Sequence, residues 1–150
     1  MKKVLTCILI APLISLGQDI PKFSNTVIAK NISFQVIKDS LLDKGFFIDQ
    51  QNEQDGTIIT KPKGVCDCKN IDFHQLIIYV RVKDSVAKFT GAFNINYNFN
   101  AQRGGLISND RTEFHKLEYW KSSISVPHVL FLKLDKIVRS MSEVISYSKE

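Results

Sequence analysis

Three side chains that lie close together in the sequence have the chemistry to react or to hold a metal. They are Cys66 and Cys68, separated only by Asp67, and His74 six residues further on. In an oxidising compartment two thiols this close are candidates for pairing. A Cys-x-Cys bridge closes a very small ring, so it stabilises little by restricting the unfolded chain and is more readily strained and reduced than an ordinary structural disulfide. Lys63 and Lys69 favour the thiolate and Asp67 opposes it. Three readings stay open: a local loop staple or two unbonded thiols, a redox-active dithiol, and a site where two thiolates and the His74 imidazole hold zinc or copper. The staple is the simplest, because structural zinc usually takes four ligands and this spacing matches no zinc pattern. A metal ion is the only cofactor implied.

The histidines add little. His74 falls at the end of an apolar strand row, opposite Ile95, where a partly buried imidazole needs only a hydrogen bond. His115, near Glu113 and Glu118, and His128 have no nucleophile or acid at a diagnostic spacing. No nucleophile elbow, P-loop or zincin pattern occurs, so no catalytic residue is assigned.

The elements that must position these groups centre on Phe73 to Phe99. Leu76, Ile78, Val80 and Val82 alternate with more polar neighbours, and Ala87, Phe89, Gly91, Phe93, Ile95, Tyr97 and Phe99 do the same in the following run. A two-residue turn at Asp84-Ser85 sets Val82 opposite Ala87, Val80 opposite Phe89, Ile78 opposite Gly91 and Leu76 opposite Phe93. Both apolar rows then share one face, whereas a loop one residue longer or shorter puts one row in water. The other face carries Asn94, Asn96, Asn98 and Asn100, with Ile77, Tyr79, Thr90 and Ala92. An asparagine ladder is usually the solvated side of a sheet, but its amides can also bind a glycan or peptide. The binding candidates are Tyr79, Thr90, Asn94 and Asn96.

Around this hairpin, Asn25–Ala29 reads as a short strand. A helix follows, capped by Asn31 or Ser33 and closed by Gly45; Phe34, Ile37 and Leu41 line one face, with Val36 and Leu42 widening the apolar arc. Residues 46–51 and 57–61 flank Asp55-Gly56 as a second hairpin, and Pro62 ends it or confines it to an edge. Residues 63–71 form the cysteine loop, 101–111 a polar connection, and 113–120 a short strand. The last helix starts at Ser125 and Pro127 and carries Leu130, Leu134, Ile137, Met141 and Val144 at helical spacing, with Val138 and Ile145 broadening the stripe. The expected class is α+β: an antiparallel sheet of about five strands with two helices packed on one face.

Met1-Lys2-Lys3, the apolar run Val4–Leu16 and Ser15-Leu16-Gly17 form a signal peptide over 1–17, leaving a single domain over 18–150. The 13-residue run is shorter than the roughly 20 residues that span a bilayer, and Cys7 has poor flanks for lipidation. The expected location is the periplasm or outside the cell. Losing Lys2 and Lys3 lowers the formal charge from +5 to +3, scattered along the chain, which argues against nucleic acid as a partner.

A capped helix ending in Gly45-Phe46, a strand, Asp55-Gly56-Thr57-Ile58-Ile59-Thr60, a long meander and a closing amphipathic helix resemble small exported bacterial domains of unknown function with a TATA-binding-protein-like fold. The resemblance spans most of the mature chain and implies two helices on one face of an antiparallel sheet. It supplies no catalytic residues. The expected role is binding of a protein, peptide or glycan of the cell envelope, with thiol redox or metal chemistry at Cys66-Asp67-Cys68 as the alternative.

Overall fold

The computed structural model describes residues 19–65, 73–96, 113–122 and 125–150, so the expected signal peptide, Cys66, Cys68, Asn98, Asn100 and the expected polar connection over 101–111 lie outside the described residues. At its centre are two eleven-residue strands, β5 (Phe73–Lys83) and β6 (Val86–Asn96). Their register is the one that the alternation requires: Val82 faces Ala87, Val80 faces Phe89, Ile78 faces Gly91, Leu76 faces Phe93 and His74 faces Ile95. Asp84 and Ser85 turn the chain with φ of 52° and 59°. Positive φ at both central residues belongs to the turn whose twist matches a hairpin, and Asp tolerates it through its short polar side chain.

The remaining strands flank this pair. β1 (Thr26–Lys30) pairs with β6, and β8 (Ile145–Ser148) pairs with the far side of β1. On the other side β3 (Thr57–Thr60) pairs with β5, and β2 (Ile48–Asn52) with β3. All these pairings are antiparallel and give the order β2-β3-β5-β6-β1-β8. Two short strands complete the sheet: β4 (Lys63–Val65) on β5 and β7 (His115–Lys116) on β6. β3 and β4 form one line along β5, broken at Lys61-Pro62. Pro62 has no amide to give the ladder, and the Thr60 hydroxyl accepts from the Ile78 amide there at 3.0 Å.

The described sheet therefore has eight strands rather than about five. β4 and β7 are too short to show an alternation. β8 replaces what helical spacing assigns to a helix: α2 (Val126–Arg139) ends at Ser140, and Met141, Val144 and Ile145 lie beyond it. The Ser140 hydroxyl donates to the Ile137 carbonyl at 2.6 Å, and the Ser142 hydroxyl accepts from the Val144 amide at 3.2 Å and donates to the Lys30 carbonyl at 2.8 Å. These serines turn the chain, and the free edge of β1 then captures Ile145–Ser148.

α1 (Phe34–Asp43) starts at Ser33, whose side chain accepts from the Val36 amide, and closes at Gly45 with φ +74°. Ser125 occupies the N-cap position of α2, but its hydroxyl donates to the Ser122 carbonyl instead of capping. One core joins both helices to one face of the sheet: Ile37 and Leu41 from α1, Leu130, Phe131, Leu134 and Val138 from α2, and Val27, Ala29, Ile58, Leu76, Ile78 and Phe89 from the strands. Each fully buried Leu, Ile or Phe side chain contributes about 2 kcal/mol relative to exposure. Val36 and Leu42 stay exposed, so the apolar arc of α1 is wider than the surface it covers.

Candidate functional site

The pairing that turns one face of the sheet towards the helices aligns the opposite face in rows. Gln50, Ile59, Tyr79, Thr90, Thr26 and Ser148 form one row across six strands, and Asn52, Thr57, Arg81, Lys88, Ile28 and Ser146 form the next. Where the rows cross β3, β5 and β6, Thr57, Ile59, Tyr79, Arg81, Lys88 and Thr90 line an open concavity of about 700 Å³. No helix belongs to this lining. Tyr79 is exposed, and its cross-strand neighbours Ile59 and Thr90, like Thr57 in the next row, are half-buried.

Arg81 lies directly opposite Lys88. Like charges in a cross-strand pair repel. Lys88 is offset by an ion pair with Glu150, while Arg81 has no ion-pair partner among the described residues. Both side chains of the Lys88–Glu150 pair are about half exposed, which limits it to under about 1 kcal/mol. Glu150 is fixed mainly by its backbone: its carbonyl accepts from Asn25 Nδ2 at 2.8 Å and Lys116 Nζ at 2.7 Å, and its amide donates to Asn25 Oδ1 at 3.1 Å.

β8, which ends two residues before Glu150, is clasped to α2 by a partly buried polar cluster that sequence reasoning missed. Tyr147 donates from its hydroxyl to Asp135 Oδ1 at 2.8 Å, and Arg139 donates from Nε to Asp135 Oδ2 at 2.8 Å and from Nη2 to the Tyr147 oxygen at 2.5 Å. Burial, with the Asp135 carboxylate beside it, pushes the Tyr147 phenol up to about 12. The hydrogen bond to Asp135 raises Arg139 further above its ordinary value. Asp135 and Arg139 are four apart on one helix, a spacing legible in the sequence; the tyrosine is not.

The predicted site residues separate. Tyr79 and Thr90 are cross-strand partners on the open face. Asn94 shares that face by parity but is only 3% exposed, so it is not an accessible ligand group. Alternation fixes the side of a sheet, not what lies over it. The side chain of Asn96 and both cysteines lie outside the described residues. His74 sits at the β4–β5 pairing, opposite Val65, and its Nδ1 is buried with no hydrogen-bond partner among the described residues. His115 packs on Phe93, with ring centroids 5.9 Å apart, and His128 Nδ1 bonds to the Trp120 carbonyl at 2.6 Å. Among the described residues no three His, Cys, Asp or Glu side chains gather closely enough to hold a metal ion, and no helix is long and apolar enough to cross a membrane.

Comparison of the chain with protein-family models and with curated proteins finds no match.

Proposed function

We propose that this protein is an exported binding domain that engages a protein, peptide or glycan of the cell envelope through the helix-free face of its sheet. The supporting observation is the concavity lined by Tyr79, Arg81, Lys88, Thr90, Thr57 and Ile59. It combines an exposed aromatic ring, two threonine hydroxyls and an arginine with no ion-pair partner among the described residues, although the Asp84 and Glu150 carboxylates line the same concavity. Arg and Tyr are the side chains that most often anchor interfaces, since each buries a large rigid surface and donates directional hydrogen bonds. The reaction class is recognition, with no bond made or broken.

The test is capture from an envelope extract on three immobilised forms: wild type, Tyr79→Ser/Arg81→Ser, and Val36→Ser/Leu42→Ser, whose changes lie on the exposed part of α1. A partner lost only from the first variant supports the reading. Equal capture by all three forms contradicts it.

One observation favours a second reading, in which Cys66, Cys68 and His74 form a thiol redox or metal site. β4 ends at Val65, which pairs with His74 and directly precedes Cys66 in the sequence, and the His74 Nδ1 is buried with no partner among the described residues. A buried imidazole nitrogen in that state suits a metal ligand. Metal analysis of protein isolated without chelator, with thiol counts before and after reductant, checks it. Two freely reactive thiols, no metal, and an unchanged result for His74→Asn would remove this reading.

A further inference from the structure

On the helix side of the sheet, the ends of α1 and α2 meet β4 around a second concavity of about 380 Å³. It is lined by Lys44, Lys63, Lys133 and Lys136, with Phe46, Val65 and Ile137 as its apolar floor, and by no acidic side chain. None of the four lysines has an ion-pair partner among the described residues. Two helix C-terminal ends approach the cleft at Lys44 and Ser140. Each brings a partial charge of about −0.5, so the site keeps a net charge of about +3. Relieving the macrodipoles therefore accounts for only part of this clustering.

One of the four cations is held in place by its neighbours. Lys63 donates to the Lys44 carbonyl, and its ammonium lies 4.7 Å from the centroid of the Phe46 ring. Gly45 makes room for it: a Cβ there would stand 2.9 Å from Lys63 Nζ. Lys133 and Lys136 are three residues apart on α2 and so project from neighbouring positions on the same side of the helix.

We propose that this cleft is a separate binding site for a ligand carrying a phosphate group. The anionic end would sit among Lys44, Lys63, Lys133 and Lys136, and the body against Phe46, Val65 and Ile137. Lysine ammonium groups hold phosphate as point charges, and the volume is that of a small-ligand pocket. The site shares no lining residue with the concavity on the open sheet face.

The test is titration calorimetry of the full chain with glucose 1-phosphate, alongside co-sedimentation with phosphatidylcholine vesicles prepared with and without phosphatidic acid. At least one phosphate probe is expected to bind, more weakly as salt rises. Lys133→Gln/Lys136→Gln should weaken that binding more than tenfold with no change in melting temperature. Lys44→Gln alone should weaken it at least threefold, and Lys121→Gln, which does not line the cleft, less than twofold. Binding of the soluble ester alone assigns a small phosphorylated ligand, and binding only to vesicles with phosphatidic acid assigns a lipid headgroup; either supports the site. No binding of either probe, or equal binding by wild type and both cleft variants, overturns it.

Discussion

Gly45 and Gly56 share a left-handed backbone, with φ of +74° and +65°, but differ in what surrounds them. At Gly45 an added Cβ would meet only the end of the flexible Lys63 side chain. At Gly56 it would lie 2.0 Å from the backbone carbonyl oxygen of Val82, in the central hairpin, where the Val82 amide also donates to the Gly56 carbonyl at 2.7 Å. A left-handed alanine costs about 1–2 kcal/mol, and its stiffer unfolded chain returns about 0.4–1 kcal/mol. Gly45→Ala should therefore cost about 1 kcal/mol. Gly56→Ala adds about 1–3 kcal/mol for the forced backbone shift and about 1 kcal/mol for the disturbed hydrogen bond, giving roughly 3–5 kcal/mol. Urea denaturation followed by circular dichroism reads both values from the midpoints, provided the slopes match. Equal costs for the two variants would mean that the tip of the β2–β3 hairpin does not rest on β5.

Further outcomes are expected. Tyr147→Phe should cost about 1–2 kcal/mol, because its hydroxyl bonds to both Asp135 and Arg139. Wild type should also lose stability as pH rises from about 10 to 12, since the unfolded phenol ionises at about 10 while the folded one is held up to about 12; thermal melts across that range should show this component missing from the variant. Leu134→Ala, at a fully buried position, should cost about 2–5 kcal/mol, while Leu132→Ala, 39% exposed on the same helix, should cost under about 1 kcal/mol by the same denaturation assay. Ser33→Ala should cost about 0.5–1 kcal/mol through the lost cap to the Val36 amide, read as a lower urea midpoint.

Local chemistry explains which parts of the fold were legible. The β5–β6 register follows from two apolar rows that must share a face, and α1 carries its own start and stop in Ser33 and Gly45. The turn type at Asp84-Ser85 was not legible, because neither residue demands positive φ. β8 was misread because Met141 and Val144 extend the helical spacing, whereas its strand state depends on an edge more than a hundred residues earlier in the chain. Pairing that depends on a distant partner leaves only a weak local mark.

The candidate sites follow the same division. Alternation placed Tyr79 and Thr90 on the outer face, but it also placed Asn94 there, and burial removes that residue from the accessible surface. Arg81 and Lys88 went unselected because charged residues on an outer strand face are ordinary until the register sets them opposite each other. The lysine cleft joins positions 44, 63, 133 and 136, which only the fold brings together. Tyr147 was likewise absent from the sequence reading, since its partner Asp135 looks like one more solvated helix position.

Site-specific photocrosslinking in producing cells tests the binding face most directly, with a photoreactive side chain at position 79 and, separately, at position 36 on α1. A discrete adduct from position 79, absent from position 36 and lost when Arg81 is changed to Ser, is the expected result. An adduct from position 36 with none from position 79 would contradict it.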